Sequence, residues 1–120
     1  HDLYTQYATR LNPGMPILLH SIIYDRQNPF SVWASTYNNL GIARSAGCIR
    51  LATIDSKWIY DNCAIGTTVV VYNSPDPGPF ERPTILYQIT FEQTWDPTDP
   101  NLTQEQIAAE TQRLIAQLGQ

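Results

Sequence analysis

A mainly apolar segment, residues 15–23, sets the strongest limit on the fold. It is too short for an independent helix, and the turn signal Asn12-Pro13-Gly14 precedes it, so the pattern predicts a buried strand. His20 lies within this segment, which would hold its imidazole on a rigid scaffold. A histidine on an apolar strand is also explained as a packed core residue with a hydrogen-bonded ring nitrogen.

The first half of the chain otherwise gives weaker signals. Residues 1–12 predict a loop or a short edge strand, and residues 24–44 predict a long surface excursion rich in polar, aromatic and turn-forming residues. Its aromatic residues would either line a lid over a substrate or cover the core. These aromatic residues are Tyr24, Trp33 and Tyr37.

In the second half, Thr53 predicts an N-cap for a helix that begins near Ile54 and ends at Gly66. The four-residue spacing of Ile54 and Trp58 predicts that Trp58 is a core residue on this helix. Residues 67–72 are β-branched enough for a strand, and a further strand is expected at 84–91.

Length and composition predict one globular domain, residues 1–95, followed by a linker and a C-terminal helical extension, residues 96–120. The capping-box pattern of Thr103 and Gln106 starts that last helix, which runs to about Leu118. The net charge of −4 and the scattered basic residues argue against nucleic-acid binding. No apolar segment approaches the roughly 18 to 20 residues that cross a bilayer.

The chain has two cysteines, Cys48 and Cys63. They permit either one disulfide or two thiols with separate roles, and their number alone does not choose. A disulfide would consume the sulfur of Cys48, and Cys63 is expected to be a small core residue on the helix. A zinc site is a poor hypothesis, because His1 and His20 form no pair at metal-ligand spacing with either cysteine.

The segment Ser45-Ala46-Gly47-Cys48-Ile49-Arg50-Leu51 is the most informative part of the sequence for chemistry. Small residues before the cysteine allow a tight turn whose backbone N–H groups converge on one spot, as in an oxyanion hole. A thiol attacks only as a thiolate, so it needs a base or a nearby positive charge, and His20 and Arg50 are the candidates. Arg50 would grip a carboxylate, pair with Asp55 or cap local carbonyl groups.

Leu19-His20-Ser21, a long loop and then residues 45–51 resemble the signature of the YkuD-like family of L,D-transpeptidases. The resemblance covers roughly residues 17–72. It implies that Cys48 is the nucleophile, that His20 is the general base and that the Ser21 carbonyl orients the imidazole. It also implies an oxyanion and substrate-binding region formed by Ser45, Ala46, Gly47, Arg50 and Tyr24.

The same resemblance implies a mainly β fold, a β-sandwich of two packed sheets with a short helix after the cysteine and a C-terminal helix. The family's usual upstream strands are not in the sequence, which implies an N-terminally incomplete domain. The implied activity is the formation of 3-3 cross-links between peptidoglycan stem peptides outside the cytoplasmic membrane, by a secreted or membrane-anchored protein.

The partners that the resemblance implies are a donor tetrapeptide, an acceptor amine and carbapenems as covalent inhibitors, with no cofactor and no metal. An L,D-carboxypeptidase that uses water as the acceptor has the same residues. A cell-wall-binding module of the same fold without turnover is the alternative outside enzymes.

Overall fold

The computed structural model describes residues 2–76, 78 and 88–119. They contain one three-stranded sheet and three helices. The strands are β1 (Thr9–Asn12), β2 (Met15–Ser21) and β3 (Ile49–Leu51), and the helices are α1 (Ala34–Asn38), α2 (Thr53–Asn62) and α3 (Gln104–Leu118).

The sheet has the order β1-β2-β3, with β2 in the centre. β1 and β2 form an antiparallel hairpin, in which the side-chain oxygen of Asn12 accepts a hydrogen bond from the Gly14 N–H group at 2.8 Å. Asparagine favours such turns because its side chain replaces a backbone partner. The strand predicted at residues 15–23 is confirmed over Met15–Ser21, although only its His20 end is buried. Of the two alternatives for residues 1–12, a loop or a short edge strand, Thr9–Asn12 form the strand.

β3 pairs with β2 in parallel, and the register places His20 beside Arg50. Parallel neighbours need a long crossover, and residues 22–48 provide it. This crossover contains α1 and contributes Tyr24 and Tyr37 to the core, where both side chains are buried. Trp33 stays 41% exposed.

The core is small and is centred on Ile22, with Tyr24, Ala34, Tyr37 and Ile89 around it. The Asn38 side chain forms hydrogen bonds with both backbone groups of Ile89, its carbonyl and its N–H. The Asn38 amide donates to the Ile89 carbonyl at 2.9 Å and accepts from the Ile89 N–H group at 2.8 Å. One side chain therefore replaces the two hydrogen bonds that a paired strand residue would make.

α2 begins at Thr53, and Ala52 is the N-cap without a side-chain bond of its own. The prediction that Thr53 is the N-cap is therefore wrong by one residue. The capping oxygens come from a segment far along the chain: Asp96 accepts from the Thr53 N–H group at 2.8 Å, and Thr98 accepts from the Ile54 N–H group at 3.2 Å. A carboxylate at this position also suits the positive end of the helix dipole.

α3 begins with the predicted capping box, since Thr103 and Gln106 each bond the backbone N–H of the other. Glu110 on this helix accepts a hydrogen bond from Thr94 at 2.7 Å. Asp96 and Asp99 are both buried, so the segment between the predicted catalytic domain and α3 packs on the body. No helix in the described residues is long and apolar enough to span a membrane.

The expected mainly β sandwich is not confirmed, because the described residues form one small sheet and more helix than strand. Residues 67–72, predicted as a strand, are exposed and unpaired in the described part of the chain, since an extended run becomes a strand only with a partner. The predicted strand at 84–91 lies mostly outside the described residues, and 88–91 are not strand.

The prediction that Trp58 is a core residue is wrong, because its side chain is 61% exposed. Helical spacing places Ile54 and Trp58 on one face of α2, but the buried side chains of the helix are Thr53 and Ser56. Their hydroxyl groups bond to Asp96 and to the helix backbone. Polar anchoring, not the apolar stripe, therefore decides which face of α2 is buried.

Candidate active site around Cys48

The turn before Cys48 is held together by the hydroxyl group of Ser45. This hydroxyl donates to the Cys48 carbonyl and accepts from the Gly47 N–H group at 3.3 Å. Gly47 has a φ of +153°, a backbone conformation that residues other than glycine rarely adopt. The sequence folds here as a tight turn that presents Cys48 at the start of β3.

Cys48 is half-buried, and its Sγ lies 3.8 Å from the carbonyl oxygen of Pro16 on β2. Both Cys48 and Cys63 are free thiols. The possible disulfide between them is therefore not formed, and the sulfur of Cys48 is available for chemistry. Cys63 is also half-buried, less enclosed than a core residue.

His20 lies near the end of β2 and is 7% exposed. Its Nδ1 is 2.6 Å from the carbonyl oxygen of Ser21. A carbonyl accepts and never donates, so Nδ1 carries the proton and Nε2 is the acceptor nitrogen of the neutral ring. Nε2 has no hydrogen-bond partner in the described part of the protein, and it is not fully enclosed.

The parallel register sets the relation between the thiol and the imidazole. Arg50 pairs with His20 and Ile49 pairs with Leu19, and Cys48 directly precedes Ile49. The two Cα atoms of His20 and Cys48 are then roughly 8 Å apart, from the usual strand spacing and rise. Residues two apart on neighbouring strands point to the same side of a sheet, but in the described structure the Cys48 thiol bonds to Pro16 rather than to His20.

The thiol opens onto a cleft of about 330 Å³, between the end of α1 and the start of β3. Its lining residues are Thr36, Asn39, Leu40, Gly41, Ile42, Ala43, Arg44, Ser45, Cys48, Ile49 and Arg50. The cleft therefore joins three of the predicted site residues: Ser45, Cys48 and Arg50. It also contains Arg44, which the sequence interpretation missed although it directly precedes the small-residue turn.

Arg50 is half-buried in this cleft, and its Nε is buried without a hydrogen-bond partner. It is the one side-chain nitrogen or oxygen atom of that kind in residues 2–76, 78 and 88–119. An unsatisfied buried N–H group costs roughly 1 to 3 kcal/mol, so a ligand that accepts from it gains that much. Among the residues that the structure describes, Arg50 forms neither of the suggested local interactions, an ion pair with Asp55 or a cap on carbonyl groups.

Tyr24 lies apart from the cleft, and its hydroxyl joins a buried chain of hydrogen bonds. Gln6 donates to the Tyr24 oxygen at 2.9 Å, Tyr24 bonds Thr53 at 3.0 Å, and Thr53 donates to Asp96 at 2.7 Å. Burial, the largest cause, raises the pKa of Tyr24 far above its usual range. Tyr24 also lines a second cavity of about 330 Å³, whose walls include Gln6 and Asp99. The predicted contact of Tyr24 with substrate stays a prediction.

No group of three metal-ligating side chains occurs among the residues that the structure describes. The arrangement offers a thiol, an imidazole and guanidinium groups for chemistry. A thiol on a tight turn, an imidazole oriented by the Ser21 carbonyl and a cationic cleft together suit nucleophilic attack on the acyl group of an anionic substrate.

Comparison with known protein families identifies a matching catalytic domain. The family model of the YkuD L,D-transpeptidase catalytic domain matches residues 6–71, which span more than half of the chain. Neither the curated proteins nor the solved structures contain a match. The matched region includes β1, β2, β3 and α2, and with them the His20 strand and the Cys48 turn. This chain therefore belongs to the YkuD family of L,D-transpeptidase catalytic domains.

Proposed function

We propose that this protein is a peptidoglycan L,D-transpeptidase that forms 3-3 cross-links through an acyl-enzyme on Cys48. The observation that carries the proposal is the free Cys48 thiol on a strained turn, with the oriented His20 imidazole on the neighbouring strand. Membership of the family supports the reaction class. The site of action is outside the cytoplasmic membrane, with the protein secreted or anchored.

The first half-reaction transfers the donor acyl group to sulfur. The Nε2 atom of His20 takes the thiol proton, and the thiolate attacks the carbonyl carbon of the third residue of a stem tetrapeptide. The thioester bond forms as the peptide bond to the terminal D-alanine breaks, and the imidazolium returns its proton to the leaving amine.

The second half-reaction releases the acyl group to an acceptor. The side-chain amine of a second stem attacks the thioester, His20 removes a proton from that amine, and the thiolate of Cys48 leaves. Water in place of the amine gives the L,D-carboxypeptidase reaction with the same residues. The backbone N–H groups of Ala46 and Cys48 donate no hydrogen bond to the described residues, so they are the candidate donors to the oxyanion.

In the present geometry, the Cys48 thiol must turn from the Pro16 carbonyl toward His20 before proton transfer. A side-chain rotation in a half-buried cysteine is a small change, and catalytic hydrogen bonds are often long before substrate binds. A substrate that fills the cleft and contacts Arg50 would favour that rotation.

The test is intact-mass analysis of the protein after incubation with a stem tetrapeptide or a carbapenem. An adduct that peptide mapping locates on Cys48 is expected in the wild type and in Cys63→Ala, which removes the other free thiol. The adduct should be absent in Cys48→Ala. Folded wild-type protein that forms no adduct would contradict the proposal and favour a wall-binding module.

A second measurement separates the two enzyme activities. With donor and acceptor stems together, a transpeptidase gives cross-linked dimers, whereas a carboxypeptidase gives tripeptides alone. A product mixture that contains only tripeptide at high acceptor concentration would replace the transpeptidase proposal with the hydrolytic one.

A further inference from the structure

We propose that Arg44 makes the Cys48 cleft selective for donor stems with an acidic side chain at the third residue. This inference rests on the proposed function, because it concerns the substrate of the same site. It adds a charge preference at a defined position of the donor: a free carboxylate is preferred to an amidated one, and a cationic lysine is disfavoured.

The first support is the charge of the cleft. Its eleven lining residues, all within the described part of the chain, include two arginines and no acidic residue. The positive potential of Arg44 and Arg50 is therefore not neutralised inside the cleft, although the protein as a whole has a net charge of −4. A cationic cleft in an acidic protein attracts anionic groups of a ligand and repels cationic ones.

The second support is that both guanidinium groups have unused donors. Arg44 is exposed and makes no hydrogen bond or salt bridge with any residue that the structure describes. The Nε of Arg50 is buried and unpartnered. A guanidinium binds a carboxylate through two parallel hydrogen bonds, so the two side chains match two carboxylates.

The third support is the chemistry of the donor. A tetrapeptide stem ends in the carboxylate of D-alanine, which provides one anion beside the bond that breaks. An acidic third residue, such as diaminopimelate, provides a second anion one residue away. Arg44 and Arg50 both line the cleft that contains Cys48. A donor with two carboxylates therefore uses both arginines.

The test compares the kcat/KM for acylation of Cys48 by three tetrapeptides that differ only at the third residue. Their side chains end in a free carboxylate, in its amide, or in the amine of lysine. The wild type should prefer the acid over the amide by roughly tenfold, as expected for one charge-assisted hydrogen-bonded pair, and should react slowest with lysine.

Arg44→Gln should reduce the acid-over-amide preference to about one, and Arg44→Glu should favour the lysine donor. The matched control is Arg10→Gln, which removes an exposed arginine on β1 outside the cleft and should keep the wild-type order. The urea unfolding midpoints of all variants provide a check on folding. A loss of stability alone would lower all three rates together and leave their order unchanged.

Equal acylation rates with the three donors, or an unchanged preference in Arg44→Gln, would overturn the inference while the adduct on Cys48 upheld the proposed function. The failure of all three donors and of a carbapenem to acylate Cys48 would instead overturn the proposed function. The same mass spectra therefore distinguish the two failures.

Discussion

The carbonyl oxygen of Ser21 lies 2.6 Å from Nδ1 of His20, so the residue that follows the histidine fixes its ring. Two hydrogen bonds fix the position of Ser21 itself. Its N–H group donates to the Gln6 carbonyl at 3.1 Å, and its hydroxyl donates to the Ile22 carbonyl at 2.8 Å. The proton on Nδ1 leaves Nε2 as the acceptor, which is the state that a general base requires.

His20→Gln should therefore slow the acylation of Cys48 by about 10²- to 10⁴-fold, the usual effect of losing a general base. Glutamine has a similar length but does not take the thiol proton. The time course of adduct formation by intact mass measures the rate. At high pH, hydroxide ionises the thiol without help from a protein base. The difference in acylation rate between the wild type and His20→Gln should therefore shrink as the pH rises. A ratio of the two acylation rates that does not change with pH would indicate that His20 has only a structural role.

Gly47→Ala should slow acylation by distorting the turn that presents Cys48. A methyl group at this position meets no atom within 4 Å, so the cost comes from the backbone φ of +153° and not from a clash. Such a conformation costs a residue other than glycine roughly 1 to 3 kcal/mol. Gly14→Ala, in the turn between β1 and β2, is the control, because its backbone does not have a positive φ and an added methyl group makes only an ordinary contact, 3.5 Å from the Asn12 side-chain oxygen. Equal acylation rates for the two variants would show that the turn does not need its glycine.

Asp96→Asn should lower the free energy of unfolding by about 2 kcal/mol, because an amide replaces a carboxylate that accepts four hydrogen bonds. The four donors are the N–H and hydroxyl groups of Thr53 and Thr98. Urea denaturation measures the loss. The control is Asp61→Asn, which removes an exposed ion pair with Lys57 and should change little. Equal effects of the two substitutions would contradict the importance of the buried cap.

Tyr24→Phe should destabilise the protein by about 1 to 2 kcal/mol at pH 8, since it removes the hydroxyl between Gln6 and Thr53. Burial raises the pKa of Tyr24 in the folded protein far above its unfolded value of about 10. Above pH 10 the unfolded chain loses this proton and the folded protein keeps it, so the contribution of the hydroxyl to stability falls.

The difference in the free energy of unfolding between the wild type and Tyr24→Phe should consequently narrow by about 1 kcal/mol between pH 8 and pH 11. Urea denaturation of both proteins at the two values measures this change, and the other tyrosines cancel in the difference. If the difference in free energy of unfolding stays constant or widens as the pH rises, the Tyr24 hydroxyl ionises in the folded state at least as readily as in the unfolded chain.

Local signals predicted the parts of the fold that local interactions determine. The turn signal at Asn12 and the apolar segment after it correctly predicted β2, and the capping box at Thr103 correctly predicted the start of α3. The segment around Cys48 gave the candidate nucleophile, because small residues beside a cysteine signal a turn before any packing is known. The two free thiols and the hydrogen bond between His20 and the Ser21 carbonyl needed coordinates.

Long-range contacts account for the errors. The spacing of Ile54 and Trp58 shows that they share a face of α2, but it does not show which face the rest of the chain covers. The cap of α2 comes from Asp96, which looked like part of a linker. Arg44 enters the cleft through the path of the loop between α1 and β3, and a single arginine in a loop carries no sequence signal of that kind.

The distance along the chain between α2 and its cap has a consequence for biosynthesis. Asp96 follows Thr53 by 43 residues, so the ribosome has completed the nucleophile turn and the whole of α2 before it adds the carboxylate that binds the first turn of that helix. A ten-residue helix is marginal in isolation. The nascent α2 therefore gains the cap on its first turn only when the later segment emerges and docks.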